Sequence, residues 1–179
     1  MIIKSPKFSS SGWYDVLIHT IVPAALTIIF FAFSIFYIIL PRIKGVIDHE
    51  KRVAVKELVE SIYSLLEYYH NQVKNGKLTE QQAQKQVLEI LETVRYGSEK
   101  KYYFWINDMT PALIMHPYRP DMIGQNMSTF ADPDGKLLFM EFVKTVQEDQ
   151  AGYVDYQWQW HDNPNKIVPK ISYVRLFQP

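Results

Sequence analysis

The sequence predicts an α+β fold: an N-terminal transmembrane helix, a long stalk helix, and a second helix packed on an antiparallel sheet. Three observations lead to this class. An uncharged apolar run lies near the N-terminus, apolar residues then recur at three- and four-residue steps, and strand-like alternation appears near the C-terminus.

The apolar run extends from Val16 to Pro41 and contains no Asp, Glu, Lys or Arg. It exceeds the about 20 residues that a helix needs to cross a bilayer. A cleavable signal peptide is the alternative, but its apolar core would span only about 7–15 residues. Aromatic residues flank the run, as they do at membrane surfaces: Trp13, Tyr14 and Tyr37. We therefore expect a short tail at 1–15, an uncleaved membrane helix at 16–41 and one domain at 42–179.

Charge restricts the partners but leaves the orientation open. The chain holds 19 Lys or Arg and 19 Asp or Glu, so it has no basic field for nucleic acid. It has no cysteine, which excludes disulfides and thiolate metal sites. More basic residues follow the apolar run than precede it, which by count places the domain inside the cell. Long domains, however, cross membranes largely regardless of charge.

Two helices follow the membrane segment. Apolar residues from Val55 to Tyr69 recur with a helical period, which predicts a stalk helix from Arg42 to Asn75. Thr79 and Gln82 have the spacing of a capping box, which predicts a second helix that runs to about Tyr96.

The remaining segments read as strands around one short helix. Two apolar runs separated by a polar turn with Asn107, Asp108 and Pro111 predict a hairpin over Tyr102–Met115. The other predicted elements are a helix at Leu137–Glu148 and strands at Gly152–Trp160 and Lys166–Phe177, with Pro169 at an edge or bulge. On the first of these strands, alternation places four residues on one face: Val154, Tyr156, Trp158 and Trp160.

Aromatic and polar residues are dense in these strands, which predicts a pocket for a small polar molecule. In it, the Lys170 ammonium suits a short carboxylate and the rings suit its apolar tail. The alternative is that the aromatic residues only fill the core and that Lys170 is solvated, which from composition is the more common case. The candidate pocket residues are Trp105, Asn107, His116, Tyr156, Trp158 and Lys170.

Six segments occur in the order and spacing of a single Cache domain of the second type, which the chain resembles from about Arg42 to Pro179. They are Arg95–Gly97, Tyr103–Asp108, Met115–Pro117, Asp132–Gly135, Gly152–Trp158 and Pro169–Val174. The resemblance implies a long N-terminal helix with a PAS-like antiparallel sheet. It also implies an extracytoplasmic sensor of a chemoreceptor, histidine kinase or cyclic-dinucleotide enzyme, in which members often bind acetate, propionate or pyruvate.

Carried over position by position, the resemblance implies seven ligand-binding residues: Trp105, Asn107, His116, Tyr156, Trp158, Lys170 and Tyr173. Tyr103 and Arg119 are weaker candidates. The domain is then expected outside the cytoplasmic membrane, paired with a second copy through the long helix. Family members continue into a further strand, a second membrane helix and an output module such as a kinase or cyclase. We therefore expect this chain to be a fragment of a longer receptor; the alternative is a truncated form whose sheet lacks the last strand.

Other chemistry is not indicated. Asp132, Asp134 and Gly135 resemble the start of a calcium loop, but its later ligands are missing. His161-Asp162 lacks a second metal-binding pair and reads as a turn. No nucleophile elbow, phosphate loop or catalytic carboxylate pair occurs, so we expect no enzyme activity in these residues and no cofactor or metal. The alternative function is a structural or dimerisation module that binds no ligand.

Overall fold

The computed structural model describes residues 11–178, which divide into two compact units at Glu50/Lys51. The helices are α1 (Ser11–Val16), α2 (Val22–Ser34), α3 (Leu40–Lys74), α4 (Glu80–Thr93) and α5 (Leu138–Asp149). The strands are β1 (Arg95–Tyr96), β2 (Tyr102–Tyr103), β3 (Ile106–Asn107), β4 (Leu113–Met115), β5 (Ala151–Trp160) and β6 (Asn163–Arg175).

The first unit is helical. Among the described residues, one helical run, Gly12–Lys74, is long and apolar enough to cross a membrane. Its apolar side chains from Trp13 to Leu40 are mostly exposed, which suits a lipid environment. Residues 11–15 of the predicted tail are helical, and the rest of that tail lies outside the described residues.

Two π-helical turns, Leu17–Ile21 and Ile35–Ile39, interrupt this run, each just before a proline. The Val22 N–H bonds Leu17 O, and the Leu40 N–H bonds Ile35 O. The next residues, Pro23 and Pro41, have no N–H, and their rings crowd the carbonyl group four residues earlier. A widened turn at these places relieves that crowding.

The predicted stalk helix and capping box are confirmed. The Thr79 hydroxyl accepts a bond from the Gln82 N–H, and the Gln82 side chain accepts one from the Thr79 N–H. The apolar face of α4 packs on α3 and on the end of β4 through Val87, Leu91 and Met115. This contact joins the helix pair to the strands.

Helix α4 ends at Thr93, three residues earlier than predicted, because Arg95 and Tyr96 form a strand that pairs with Tyr102 and Tyr103. Gly97 turns the chain at φ +78°, and a Cβ there would lie 2.6 Å from the Tyr102 ring. The close approach and the positive φ both require glycine.

The strands form antiparallel two-stranded ladders, and the predicted hairpin over Tyr102–Met115 is divided between two of them. Within the predicted hairpin, β3 pairs with β4, whereas β2 pairs with β1, which precedes the hairpin. The hairpin turn is held by the Asp108 carboxylate, which accepts bonds from the N–H groups of Thr110 and Ala112 at 2.8 Å each. The turn residues were thus assigned correctly, and the strand lengths were not.

The long ladder β5–β6 supplies the main sheet surface. Tyr156 lies opposite Lys170, Val154 opposite Ser172, and Gln157 opposite Pro169. The register shifts between Gln159 and Trp160, so Gln159 is buried while Trp160 is only partly buried. Alternation predicts that Trp160 shares a face with Val154, Tyr156 and Trp158. Its side chain is less buried than theirs, because the regular pairing ends at Gln159, where the partner changes from Ile167 to Asn163.

Helix α5 packs against this ladder and closes the core. Its side chains Leu138, Phe139 and Phe142 are at most 2% exposed. They pack with Leu113 and Trp158, among others. The predicted helix is confirmed, one residue further along the chain at both ends.

Candidate ligand-binding site

A small cavity lies between β2–β4, α5 and β5, and it gathers most of the predicted site residues. Its volume is about 10 Å³, about the least that can hold one water molecule. Five of its wall residues were predicted, Tyr103 as a weaker candidate. The lining residues are Tyr103, Trp105, His116, Leu138, Phe139, Phe142, Tyr156 and Trp158.

The predicted cation lies at the edge of this cavity. Lys170 Nζ donates a hydrogen bond to the Tyr103 hydroxyl at 3.3 Å and lies 4.9 Å from the centre of that ring. Within residues 11–178, no carboxylate lies within 4.0 Å of this ammonium. Burial lowers the pKa of Lys170 to about 8, because a charged amine is less well solvated there. The cation is therefore available to an anion.

Tyr103 and His116 add further donors. Burial raises the pKa of Tyr103, so its hydroxyl stays protonated. Since its oxygen accepts from Lys170, its own hydrogen is left to donate. Burial, together with Lys170 and Arg119, lowers the pKa of His116 to about 3, so the ring is neutral.

The tautomer of His116 is fixed by the chain that follows it. Nδ1 accepts the Tyr118 N–H at 3.2 Å, so the hydrogen of the neutral ring lies on Nε2. Nε2–H is thus a donor, as are Lys170 and the Tyr103 hydroxyl. Several donors around an aromatic cavity suit an anion with a small apolar part.

Asn107 serves the site indirectly. Its Oδ1 accepts the Trp105 indole N–H at 3.2 Å, and its Nδ2 donates to Asp108 O at 3.0 Å. The Trp105 ring packs 5.3 Å from that of Phe142. Asn107 therefore orients a wall of the cavity but does not line it.

Two candidates lie elsewhere. Tyr173 is on the opposite face of β6 from Lys170, where its ring packs 4.9 Å from Tyr153. Arg119 is occupied by the Asp121 carboxylate at 2.8 Å and by Gln159 at 3.3 Å. Neither residue reaches the cavity in this arrangement.

Sequence reasoning missed the wall from α5 and one polar residue, Ser172. The Ser172 hydroxyl lies 2.9 Å from that of Tyr156, and both residues are buried. The apolar face of α5 was visible in its periodicity, but nothing in the sequence connected it to the site. A single serine in a strand has no sequence pattern that would indicate a role in a binding site.

The calcium-like loop has a structural explanation. The Asp132 carboxylate accepts bonds from the N–H groups of Asp134, Lys136 and Gln157 at 2.9–3.0 Å. Burial alone would raise the pKa of this carboxyl group, but the three donors hold it below its usual value. Within residues 11–178, no cluster of three His, Asp or Glu side chains suits a metal ion.

The sequence matches known proteins over most of its length. Residues 47–179 match the profile of the family described as Single Cache domain 2. The methyl-accepting chemotaxis protein McpP of Pseudomonas putida is 34% identical over 142 residues, which cover 79% of this chain and 26% of McpP. The sensor histidine kinase MctS of Rhizobium johnstonii is 33% identical over 92 residues, which cover 51% and 19%. The chain thus spans about a quarter or less of the length of these relatives.

Solved structures show the same fold. A periplasmic sensor domain of a chemotaxis protein is 40% identical, with a TM-score of 0.68 over 73% of this chain and 89% of that one. A Cache chemosensory domain described for carboxylic acid recognition is 37% identical, with a TM-score of 0.70 over 75% and 90%. A methyl-accepting chemotaxis protein from Vibrio parahaemolyticus, 21% identical with a TM-score of 0.60 over 75% and 84%, shares the fold.

Proposed function

The chain belongs to the Single Cache domain 2 family, and from this premise we propose that it is a membrane-anchored extracytoplasmic sensor that binds a short carboxylate. The ligand's charge is met by Lys170, and its alkyl part lies among the aromatic walls. The observation that carries the proposal is the unpaired ammonium of Lys170 beside two further donors, Tyr103 and His116.

Family membership supports the sensor role. The relatives are chemotaxis receptors and a sensor kinase, and one similar structure is described for carboxylic acid recognition. Residues 16–41 are proposed to cross the cytoplasmic membrane, with residues 42–179 outside it. The signal is proposed to pass through the membrane to an output module.

The long helix is the proposed contact with a second copy. Several of its apolar side chains are at least 47% exposed, namely Ile43, Val46 and Ile47. A helix with unburied apolar side chains is suited to pairing. Pairing would let two sensors share one output.

Ligand entry requires movement, because about 10 Å³ is too little for a carboxylate with its alkyl part. We expect Lys170 to leave the Tyr103 hydroxyl and bond the incoming carboxylate, and the Tyr103 ring to move outward. The same small volume favours the alternative function, a structural module whose aromatic residues only fill the core.

Thermal unfolding of the chain in detergent, with acetate, propionate and pyruvate, separates the two functions. A ligand at about 100 times its Kd adds about 2.7 kcal/mol to the free energy of unfolding. We expect such a shift for at least one acid, its loss in Lys170→Met, and its retention in Lys166→Met. Lys166 is a matched control on the same strand, beside Trp160. The absence of any shift across the acids would contradict the sensor function.

A further inference from the structure

A second and larger recess lies between helix α3 and the ends of β5 and β6 that are farthest from their connecting turn. Its volume is about 610 Å³, within the about 300–1,000 Å³ of ordinary ligand pockets. We call this recess the α3–β6 groove; its lining includes Lys56, Tyr63, Ala151, Tyr173 and Leu176. It shares no lining residue with the aromatic cavity, and it has room for a small molecule without any movement.

One wall of the α3–β6 groove is held by charges that are already paired. The Arg175 guanidinium forms an ion pair with Glu60 and lies 3.5 Å from the centre of the Tyr63 ring. The Tyr63 ring also packs against Phe177, with ring centres 5.4 Å apart. These contacts join α3 to the end of β6 and leave the charge of this wall balanced.

The other two charged side chains of the groove are not paired. Lys56 Nζ lies 5.9 Å from the centre of the Tyr173 ring, and among residues 11–178 no carboxylate lies within 4.0 Å of it. Glu57, the next residue on α3, also lines the groove, and in the described part of the chain no cation lies within 4.0 Å of its carboxylate. A free ammonium and a free carboxylate in one recess are complementary to a ligand that carries both charges.

Gln150 adds an observation of a different kind. It ends helix α5 at φ +65°, a backbone region that favours glycine, and it lines the groove. Residues other than glycine are held in this region at a cost in stability and occur most often at functional sites. The side-chain amide of Gln150 forms no hydrogen bond with any described residue, so its donor and its acceptor are both available.

We propose that the α3–β6 groove is a second ligand site, which binds a small zwitterion of the α-amino acid class with an uncharged side chain. The ligand's carboxylate binds the Lys56 ammonium, its ammonium binds the Glu57 carboxylate, and the Gln150 amide bonds the same polar end. Its side chain lies against Ala151 and Leu176. Because α3 supplies two of these contacts and the α5–β5 junction supplies a third, the ligand favours one packing of the helix on the sheet.

Titration calorimetry on the chain in detergent, with L-alanine, L-serine and L-glutamine as probes, tests the proposal. We expect at least one of them to bind, and its amide, which lacks the carboxylate, to bind about tenfold more weakly. Lys56→Met and Glu57→Gln should each weaken binding by about the same factor, because each removes one charge-assisted hydrogen bond. Lys51→Met and Glu67→Gln are matched controls on α3 outside the groove and should leave the affinity unchanged within about twofold.

Gln150→Gly separates a binding role from a structural one. Glycine suits the positive φ, so the midpoint of thermal unfolding should rise by about 2–4 °C. The affinity for the amino acid should nevertheless fall about fivefold, because the amide is lost. An affinity that stayed the same would overturn the assignment of Gln150 to the site.

Lys170→Met distinguishes the groove from the aromatic cavity. It should abolish the binding of short acids and leave amino-acid binding intact, and Lys56→Met should have the reverse effect. Amino-acid binding that was lost in Lys170→Met and kept in Lys56→Met would place that ligand in the cavity and overturn the second site. Binding of none of the three amino acids would also overturn it, and would leave the proposed short-acid sensor standing.

Discussion

The two faces of strand β5 differ in burial and in chemistry, although they alternate along one stretch of chain. On the cavity face, Val154, Tyr156 and Trp158 are 6–9% exposed. On the other face, Tyr153 is partly buried and Asp155 is exposed. The alternation of a strand with a period of two residues produces this division.

The second face holds helix α3 with polar contacts. Arg52 Nη2 lies 3.1 Å from the Asp155 carboxylate, and Arg52 O accepts the Tyr153 hydroxyl at 2.9 Å. The Arg52 guanidinium also lies 5.3 Å from the centre of the Tyr153 ring. Glu60 and Arg175 form a further ion pair between α3 and β6.

The two faces contribute to the domain in different ways, which suits the proposed sensor function. The cavity face contributes stability by packing, and the helix face contributes contacts that exchange easily with water. We expect a displacement of β5 by a ligand to be transmitted to α3, since the same strand carries both sets of side chains.

The largest effect is expected on the cavity face. Trp158 contacts the rings of Phe130, Phe139 and His116 and is 6% exposed. Trp158→Ala should lower the free energy of unfolding by about 3–5 kcal/mol, through lost burial and the space left behind. Urea unfolding followed by circular dichroism measures it. A loss under about 1 kcal/mol would show that this face is not the packed one.

The next prediction concerns ligand affinity and pH. Because the pKa of Lys170 is about 8 and a bound carboxylate raises it, affinity for a short acid should be constant below about pH 7. Above pH 8 it should fall, approaching about tenfold per pH unit, as the free protein loses the proton. Calorimetry at several pH values checks this. The affinity of Lys170→Met should be weak and should not depend on pH in this range.

A smaller effect is expected on stability. The pKa of Lys170 is about 8 in the folded chain and 10.5 for an ordinary lysine, so the unfolded chain binds more protons between these values. The free energy of unfolding should therefore rise from pH 8 to pH 10.5 by at most about 3 kcal/mol, since each pKa unit corresponds to about 1.4 kcal/mol. Lys170→Met should lack this contribution. If the difference between the free energies of unfolding of the two proteins did not change with pH, burial of the ammonium would be contradicted.

The smallest effect belongs to the helix face. The side chains of Arg52 and Asp155 are 39% and 64% exposed, so their ion pair should contribute only about 0.2–1 kcal/mol. A double-mutant cycle with Arg52→Gln and Asp155→Asn measures it, and added salt should reduce it. A coupling free energy above about 2 kcal/mol between Arg52 and Asp155 would mean that the helix face contributes as much to stability as the cavity face.

Elements with clear periodicity were predictable from sequence. Helix α3, helix α5 and strand β5 begin and end within two residues of their predicted bounds, because each repeats its pattern over ten or more residues. The two-residue strands β1 and β2 have no such pattern, and their pairing depends on the Gly97 turn. Short pairings are decided by tertiary contacts that sequence periodicity does not contain.

The aromatic residues of the candidate site and its lysine were predictable from sequence, but the hydrogen bonds between its polar groups were not. Alternation along β6 puts Tyr173 and Lys170 on opposite faces of the strand, and the structure shows this arrangement. The family resemblance, by contrast, implied that Tyr173 lies in the pocket. Ser172 and the wall from α5 join the site only through the fold. Hydrogen-bond partners between distant segments cannot be inferred from one sequence.

The two π-helical turns affect how the membrane segment is to be mapped. Each adds about one residue to its turn and so rotates every later side chain by about 100° relative to an unbroken helix. In a cysteine cross-linking scan, the 3.6-residue period of the cross-linking yield should therefore be interrupted at Leu17–Ile21 and at Ile35–Ile39. After each turn the period should resume with its maxima displaced by one residue. Cross-linking maxima assigned from a single helical wheel over residues 12–50 would name the wrong lipid-facing positions.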